Sequence, residues 1–153
     1  MRQLRALVFD DDESIRQLLV TLLRARGFEV IDYSEPIHCP VYDAEDCICA
    51  PDFTCGDIVL TDMEMPRISG LDLVLEQRLR GCRMDPRNVG VMSGGWTSAT
   101  LERARALECQ IFEKPFKIPE LGRWLDECKA RCRADHSLRD LNLPSPRQLR
   151  GRF

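Results

Sequence analysis

The sequence has no apolar run close to the roughly 20 residues that a membrane-spanning helix requires. It also lacks a secretory signal peptide, because the short apolar stretch near the N-terminus runs directly into acidic residues at Asp10. No internal repeat is present, and the formal net charge is only −3. A length of 153 residues suits one domain. These features predict a single cytoplasmic domain without a membrane partner.

The hydrophobic pattern alternates between strand-like and helix-like segments. Five short apolar, β-rich runs predict strands, at residues 4–9, 28–31, 57–61, 89–92 and 111–112. Apolar residues at helical spacing predict a helix after the first, third, fourth and fifth of these strands. Residues 34–56 break the pattern with three prolines and four cysteines. The alternation predicts an α/β fold, with a doubly wound five-stranded parallel sheet.

Polar side chains follow four of the predicted strands. Asp10 and Asp11 follow the first, Asp62 the third, Ser93 the fourth and Lys114 the fifth. Such sheets bind ligands at the carboxyl ends of their strands. Clustered carboxylates favour Mg²⁺, and a lysine with a hydroxyl suits the oxygens of a phosphoryl group. Singly, these residues could be a helix cap, a turn residue and a solvated lysine; jointly they indicate a metal and phosphoryl site.

Four segments of the chain resemble the motifs of bacterial response-regulator receiver domains, in the same order: LVFDDDESIRQLL, DIVLTDMEMPRISGLDL, VMSGG and FEKPF. The resemblance covers roughly residues 4 to 133 and implies a flavodoxin-like receiver fold. We therefore expect a receiver domain at residues 1–134. Residues 135–153 are expected to form a basic, flexible tail.

The resemblance also implies roles for individual residues around Asp62, which matches the phosphoacceptor aspartate. Asp10 and Asp11 match the acidic pair that holds Mg²⁺ together with Asp62. Glu64 matches the position whose backbone carbonyl completes the metal site.

Residues of the later motifs match the remaining parts of the receiver pattern. Ser93 matches the hydroxyl residue that moves toward the phosphoryl group, and Lys114 the lysine that pairs with it. Pro115 matches a proline that usually follows a cis bond, and Gly70 the glycine that closes the loop after the acceptor strand. Ile111 departs from the pattern, because receivers usually have Tyr or Phe there as a conformational reporter.

A protein with these roles takes part in a two-component phosphorelay. The resemblance implies a sensor histidine kinase or phosphotransfer protein as the donor and a downstream protein target. It implies a signalling phosphoacceptor that modifies only itself, rather than an enzyme with other substrates. Too few residues follow the last predicted helix for a DNA-binding fold, so direct nucleic-acid binding is not expected. Homodimer formation and membership of a longer protein are left open.

The Cys-rich insertion, residues 34–56, is expected to replace the usual second helix of the family with an irregular segment. Its four cysteines fall within 17 residues, and His38 is adjacent to the first of them; they are Cys39, Cys47, Cys49 and Cys55. Such a set can hold a structural Zn²⁺. A redox-active thiol pair or disulfide, an iron–sulfur cluster and unrelated buried thiols are the other interpretations. An alternative function is therefore a metal- or redox-sensing module on a receiver scaffold.

Overall fold

The computed structural model describes residues 3–36 and 55–140, with side chains described up to residue 134. Within these ranges the chain forms five strands and four α-helices. In chain order they are β1 (Arg5–Phe9), α1 (Glu13–Ala25), β2 (Glu29–Tyr33), β3 (Ile58–Asp62), α2 (Gly70–Leu79), β4 (Val89–Ser93), α3 (Ser98–Ala106), β5 (Gln110–Glu113) and α4 (Ile118–Asp140).

The five strands make one parallel sheet with the order β2-β1-β3-β4-β5. β2 pairs with one edge of β1 and β3 with the other. The chain therefore moves from β1 toward one edge of the sheet to form β2, and then toward the other edge to form β3, β4 and β5. A crevice at the carboxyl ends of β1 and β3 is where sheets of this type bind ligands. The predicted α/β fold is confirmed.

The core of the sheet is apolar, as the continuous hydrophobic strands predict. Every residue of β3 and β4 is buried, which is typical of parallel strands covered on both faces. One cluster of buried residues joins β1, β3 and β4 to α2 and α3; it includes Leu7, Phe9, Val59, Leu71, Val74, Val91 and Ala104. Burial of each such side chain contributes roughly 1.5–3 kcal/mol to stability.

Helix α1 begins directly after the first acidic motif. The carboxylate of Asp12 caps it by accepting hydrogen bonds from the backbone N–H groups of Ser14 and Ile15, at 2.9 and 3.2 Å. The helix ends before Gly27, whose φ of 88° suits glycine alone. Asp12 therefore acts as a helix cap, which leaves Asp10 and Asp11 for the site.

The described residues fall into two compact units, the first up to Phe116 and the second from Lys117. The second contains α4, on which Cys128 and Cys132 are buried, as their helical spacing predicts. Burial raises the pKa of the Cys128 thiol to about 12. The helix continues to Asp140, and the predicted domain boundary at residue 134 stays a prediction. No helix within the described residues is long and apolar enough to span a bilayer.

Candidate functional site

The structure brings several of the predicted polar side chains to the carboxyl edge of the sheet. Asp10 directly follows β1, Asp62 is the last residue of β3, and Ser93 is the last residue of β4. All three are buried, with exposed fractions of 0%, 5% and 2%. Lys114 directly follows β5, and its backbone N–H donates to the carbonyl of Ser93 at 2.8 Å. Parallel pairing thus gathers residues that are distant in sequence.

Three carboxylates form a compact acidic cluster beside the switch point. Asp10, Asp11 and Asp62 each offer one oxygen, and these oxygens lie within 4.8 Å of one another. Asp11 is exposed, whereas the other two are buried. Among the residues that the structure describes, this is the one group of three or more His, Cys, Asp or Glu side chains close enough to share a metal ion.

Lys114 supplies the positive charge that faces this cluster. Its Nζ lies 3.0 Å from Oδ1 of Asp62 and 3.4 Å from Oδ2 of Asp10. The Lys114 side chain is 20% exposed, so it is partly accessible to solvent while its ammonium contacts both buried carboxylates. One lysine thus contacts two of the three carboxylates of the cluster, which keeps an excess of negative charge.

Burial and the neighbouring charges change the pKa values of the groups in this cluster. Burial raises the pKa of Asp62 from its ordinary 3.8 to about 6, and the negative charge of Asp10 adds to the rise. Hydrogen bonds from Lys114 and from the Glu64 backbone N–H oppose it. Burial likewise raises the pKa of Asp10. Burial alone would lower the pKa of Lys114, but the adjacent carboxylates of Asp62 and Asp10 raise it overall.

The raised pKa of Asp62 predicts how the metal-free protein responds to pH. The folded state binds this proton more tightly than the unfolded state, so the associated stability is fully present below pH 3.8 and is lost as the pH rises through about 6. We expect the free energy of unfolding to fall by up to about 3 kcal/mol from this group as the pH rises to about 7. Urea unfolding in the presence of a chelator, at a series of pH values, measures it.

The matched control for this measurement is Asp62→Asn, which cannot titrate. The difference in unfolding free energy between the wild type and the variant isolates Asp62 from the other carboxylates. Equal pH dependence of the two proteins would show that the carboxyl of Asp62 is not destabilised by its surroundings.

The loop after β3 is closed tightly against the end of that strand. The backbone N–H of Gly70 donates to the carbonyl of Met63 at 3.0 Å. A Cβ atom on Gly70 would lie 2.5 Å from the carbonyl oxygen of Asp62, so this position requires glycine. The side chain of Glu64 is exposed, while its backbone N–H acts on the carboxylate of Asp62 and lowers its pKa.

Ser93 lies at the same edge as Asp62, because Met92, the residue before it, pairs with Asp62 in the sheet register. Its Oγ accepts a hydrogen bond from the backbone N–H of Gly95 at 3.0 Å. This bond orders the turn that leaves β4. The peptide bond between Lys114 and Pro115 is cis, as the sequence motif predicts.

Sequence reasoning missed a tryptophan at this edge. The indole N–H of Trp96 donates to the backbone carbonyl of Phe112 at 2.9 Å, joining the turn after β4 to β5. Trp96 and Ile111 both pack, partly buried, against the same apolar cluster. The only sequence signal for Trp96 was the motif SGGWT.

The zinc and redox hypotheses concern residues that lie mostly outside the described part of the chain. His38, Cys39, Cys47 and Cys49 lie outside the described residues, as does most of the predicted irregular segment. Cys55 is described, is partly buried and packs against the apolar core. These hypotheses remain predictions.

The donor set of the acidic cluster fits a hard divalent cation. Its ligands are carboxylate oxygens, and burial raises the pKa of two of them, Asp10 and Asp62. Mg²⁺ prefers oxygen ligands of this kind and binds through one or two carboxylates, keeping several waters. Soft metals, which favour thiolate ligands, do not suit it.

Comparison with known proteins gives a consistent picture. No protein-family model matches the chain. The transcriptional regulatory protein FixJ of Azorhizobium caulinodans is 34% identical over 110 residues, which are 71% of this chain and 47% of that protein. The chain thus spans about half the length of this curated relative.

Solved structures match the chain more completely. A response regulator receiver domain protein from Clostridium thermocellum superposes with a TM-score of 0.68 at 25% identity, covering 85% of this chain and 97% of that one. A response regulator receiver protein from Pseudomonas putida has a TM-score of 0.69 at 20% identity, covering 83% and 98% of the two chains. The fold is therefore shared over nearly the whole length of these proteins.

Proposed function

Because this chain belongs to the response-regulator family as a receiver domain, we propose that it accepts a phosphoryl group on Asp62 in a Mg²⁺-dependent reaction. The observation that carries the proposal is the environment of Asp62. Its carboxylate is buried at the switch point of the sheet, 3.0 Å from the ammonium of Lys114, in a cluster with two further acids. A purely structural carboxylate would gain nothing from two acidic neighbours.

The residues that would hold Mg²⁺ are Asp10, Asp11 and Asp62, together with the backbone carbonyl of Glu64. Bound there, Mg²⁺ would supply positive charge that offsets the negative charge on the phosphoryl oxygens. The described residues fit this role because the cluster has more negative charge than Lys114 can neutralise.

The chemical step belongs to Asp62. One carboxylate oxygen attacks the phosphorus of the donor, a new oxygen–phosphorus bond forms, and the bond to the leaving group breaks with its electron pair. The product is an acyl phosphate. Lys114, which contacts Asp62, is placed to pair with the phosphoryl oxygens after transfer. The hydroxyl of Ser93 can donate a hydrogen bond to the same oxygens.

The donor we propose is a sensor histidine kinase or a phosphotransfer protein, and the output is a protein contact. The phosphoryl group adds charge and acceptor oxygens at the ends of β3, β4 and β5. Rearrangement of Ser93 and Lys114 around it would shift the population between two conformations of the adjacent surface. The protein would modify and dephosphorylate only itself.

Phosphorylation by a small-molecule phosphodonor tests the proposal directly. We expect the intact mass to increase by one phosphoryl group in the presence of Mg²⁺ and to stay unchanged with a chelator. Hydroxylamine should reverse the gain, because it cleaves acyl phosphates. A wild-type protein that gains no phosphoryl group with Mg²⁺, or gains as much in chelator, would overturn the proposal.

A further inference from the structure

The loop that follows the phosphoacceptor contains a strained turn at Arg67. The φ angle of Arg67 is 70°, and the N–H of Ile68 donates to the carbonyl of Pro66 at 2.9 Å. A bond between residues two apart, around a central residue with positive φ, defines the rare and strained form of the γ-turn. Glycine adopts this conformation without penalty, whereas arginine does not.

The side chain of Arg67 offers a reason for the strain. Its Nη1 lies 3.0 Å from Oε1 of Glu35, which follows β2. Glu35 is only 15% exposed, although Arg67 is 65% exposed. A carboxylate that is largely withdrawn from water gains more from a counter-charge than a fully solvated one. The ion pair therefore fastens the tip of the loop to the chain beyond β2.

The geometry of this loop is transmitted to Asp62 because both of its ends are fixed. It leaves β3 at Asp62 and is closed by the bond between the N–H of Gly70 and the carbonyl of Met63. Between those points, the backbone N–H of Glu64 faces the carboxylate of Asp62 closely enough to lower its pKa. A change at the tip must be absorbed within the few residues that include Glu64.

We propose that Arg67 is a positioning residue, which acts through its ion pair with Glu35 to hold the backbone of Glu64 where it serves Asp62 and the metal site. This inference rests on the proposed function, and it names how that site is kept in place. In this role Arg67 would act through the backbone of the loop and not by contact with the phosphoryl group or the metal. Its strain is tolerated because the ion pair orders the loop.

Mg²⁺ affinity, measured by isothermal titration calorimetry on the full chain, tests this role. Glu35→Gln and Arg67→Gln should each weaken Mg²⁺ binding about threefold, the scale of a partly exposed ion pair. Arg67→Lys should keep most of the affinity, because it retains the charge. Arg87→Gln is the matched control, since it breaks an exposed ion pair with Asp85 and should leave Mg²⁺ binding unchanged.

Arg67→Gly separates positioning from stability. Glycine relieves the positive-φ strain, so thermal stability should stay equal or increase while Mg²⁺ affinity and the rate of phosphorylation fall. If Glu35→Gln and Arg67→Gly change thermal stability but leave Mg²⁺ affinity at the wild-type value, the ion pair is only structural and the inference is wrong. A wild-type protein that binds no Mg²⁺ and gains no phosphoryl group overturns the proposed function itself.

Discussion

Asp62→Asn should gain no phosphoryl group from a small-molecule donor under conditions in which the wild type is modified. Asparagine keeps the shape of the side chain but lacks the anionic oxygen that attacks phosphorus. We expect no modification of Asp10 or Asp11, because their proposed role is to hold Mg²⁺. Intact-mass measurement with Mg²⁺ gives the result.

Folding of the variant must be separated from its chemistry. Asp62→Asn removes a buried charge beside Asp10, so we expect the metal-free variant to be more stable than the wild type at neutral pH, by on the order of 1–3 kcal/mol. Asp12→Asn is the matched control, since asparagine is an equally good helix cap and phosphorylation should persist. If Asp62→Asn gains as much phosphoryl group as the wild type, the acceptor is a different residue.

Gly70→Ala should destabilise the domain by about 2–3 kcal/mol, the usual cost of forcing an extra carbon into a packed position. The new Cβ would lie 2.5 Å from the carbonyl oxygen of Asp62 and 3.1 Å from Cγ2 of Thr61. Both neighbours belong to the buried end of β3, which cannot move without shifting Asp62, the proposed phosphoacceptor. Urea unfolding measures the loss, and the rate of phosphorylation should fall with it.

Gly94→Ala provides the comparison for this effect. The nearest atom to its new Cβ is Cβ of Lys114 at 3.9 Å, which is ordinary van der Waals contact. The unfolding free energy should change by less than about 0.5 kcal/mol. Equal stability losses in the two variants would mean that the contact with Asp62 is not what requires glycine at residue 70.

The fold and the acidic cluster were predictable from the sequence because each depends on local, periodic signals. Continuous apolar runs such as that of β3 mark buried parallel strands. Once the strands are placed, parallel pairing alone brings Asp10 and Asp62 to one edge. The cap at Asp12 follows a local rule as well, since aspartate is one of the preferred residues at the start of a helix.

Other parts of the site depend on contacts that have no periodic signature. The ion pair of Arg67 with Glu35 joins residues 32 positions apart, and nothing in the sequence marks the positive φ of an arginine. The bond from Trp96 to Phe112 likewise requires knowledge of where the turn after β4 ends. Such contacts are set by tertiary geometry, which composition and spacing do not encode.

The pairing of β1 with β3 also bears on how this domain tolerates a long connection. Ala6 pairs with Ile58 and Phe9 with Thr61, so strand register, rather than the length of the intervening chain, sets the distance between Asp10 and Asp62. The entropic free-energy cost of closing a flexible loop rises by only about 0.6 kcal/mol for each doubling of its length. Residues can therefore be added between β2 and β3 at small thermodynamic cost, which leaves that connection free to diverge while the acidic cluster keeps its geometry.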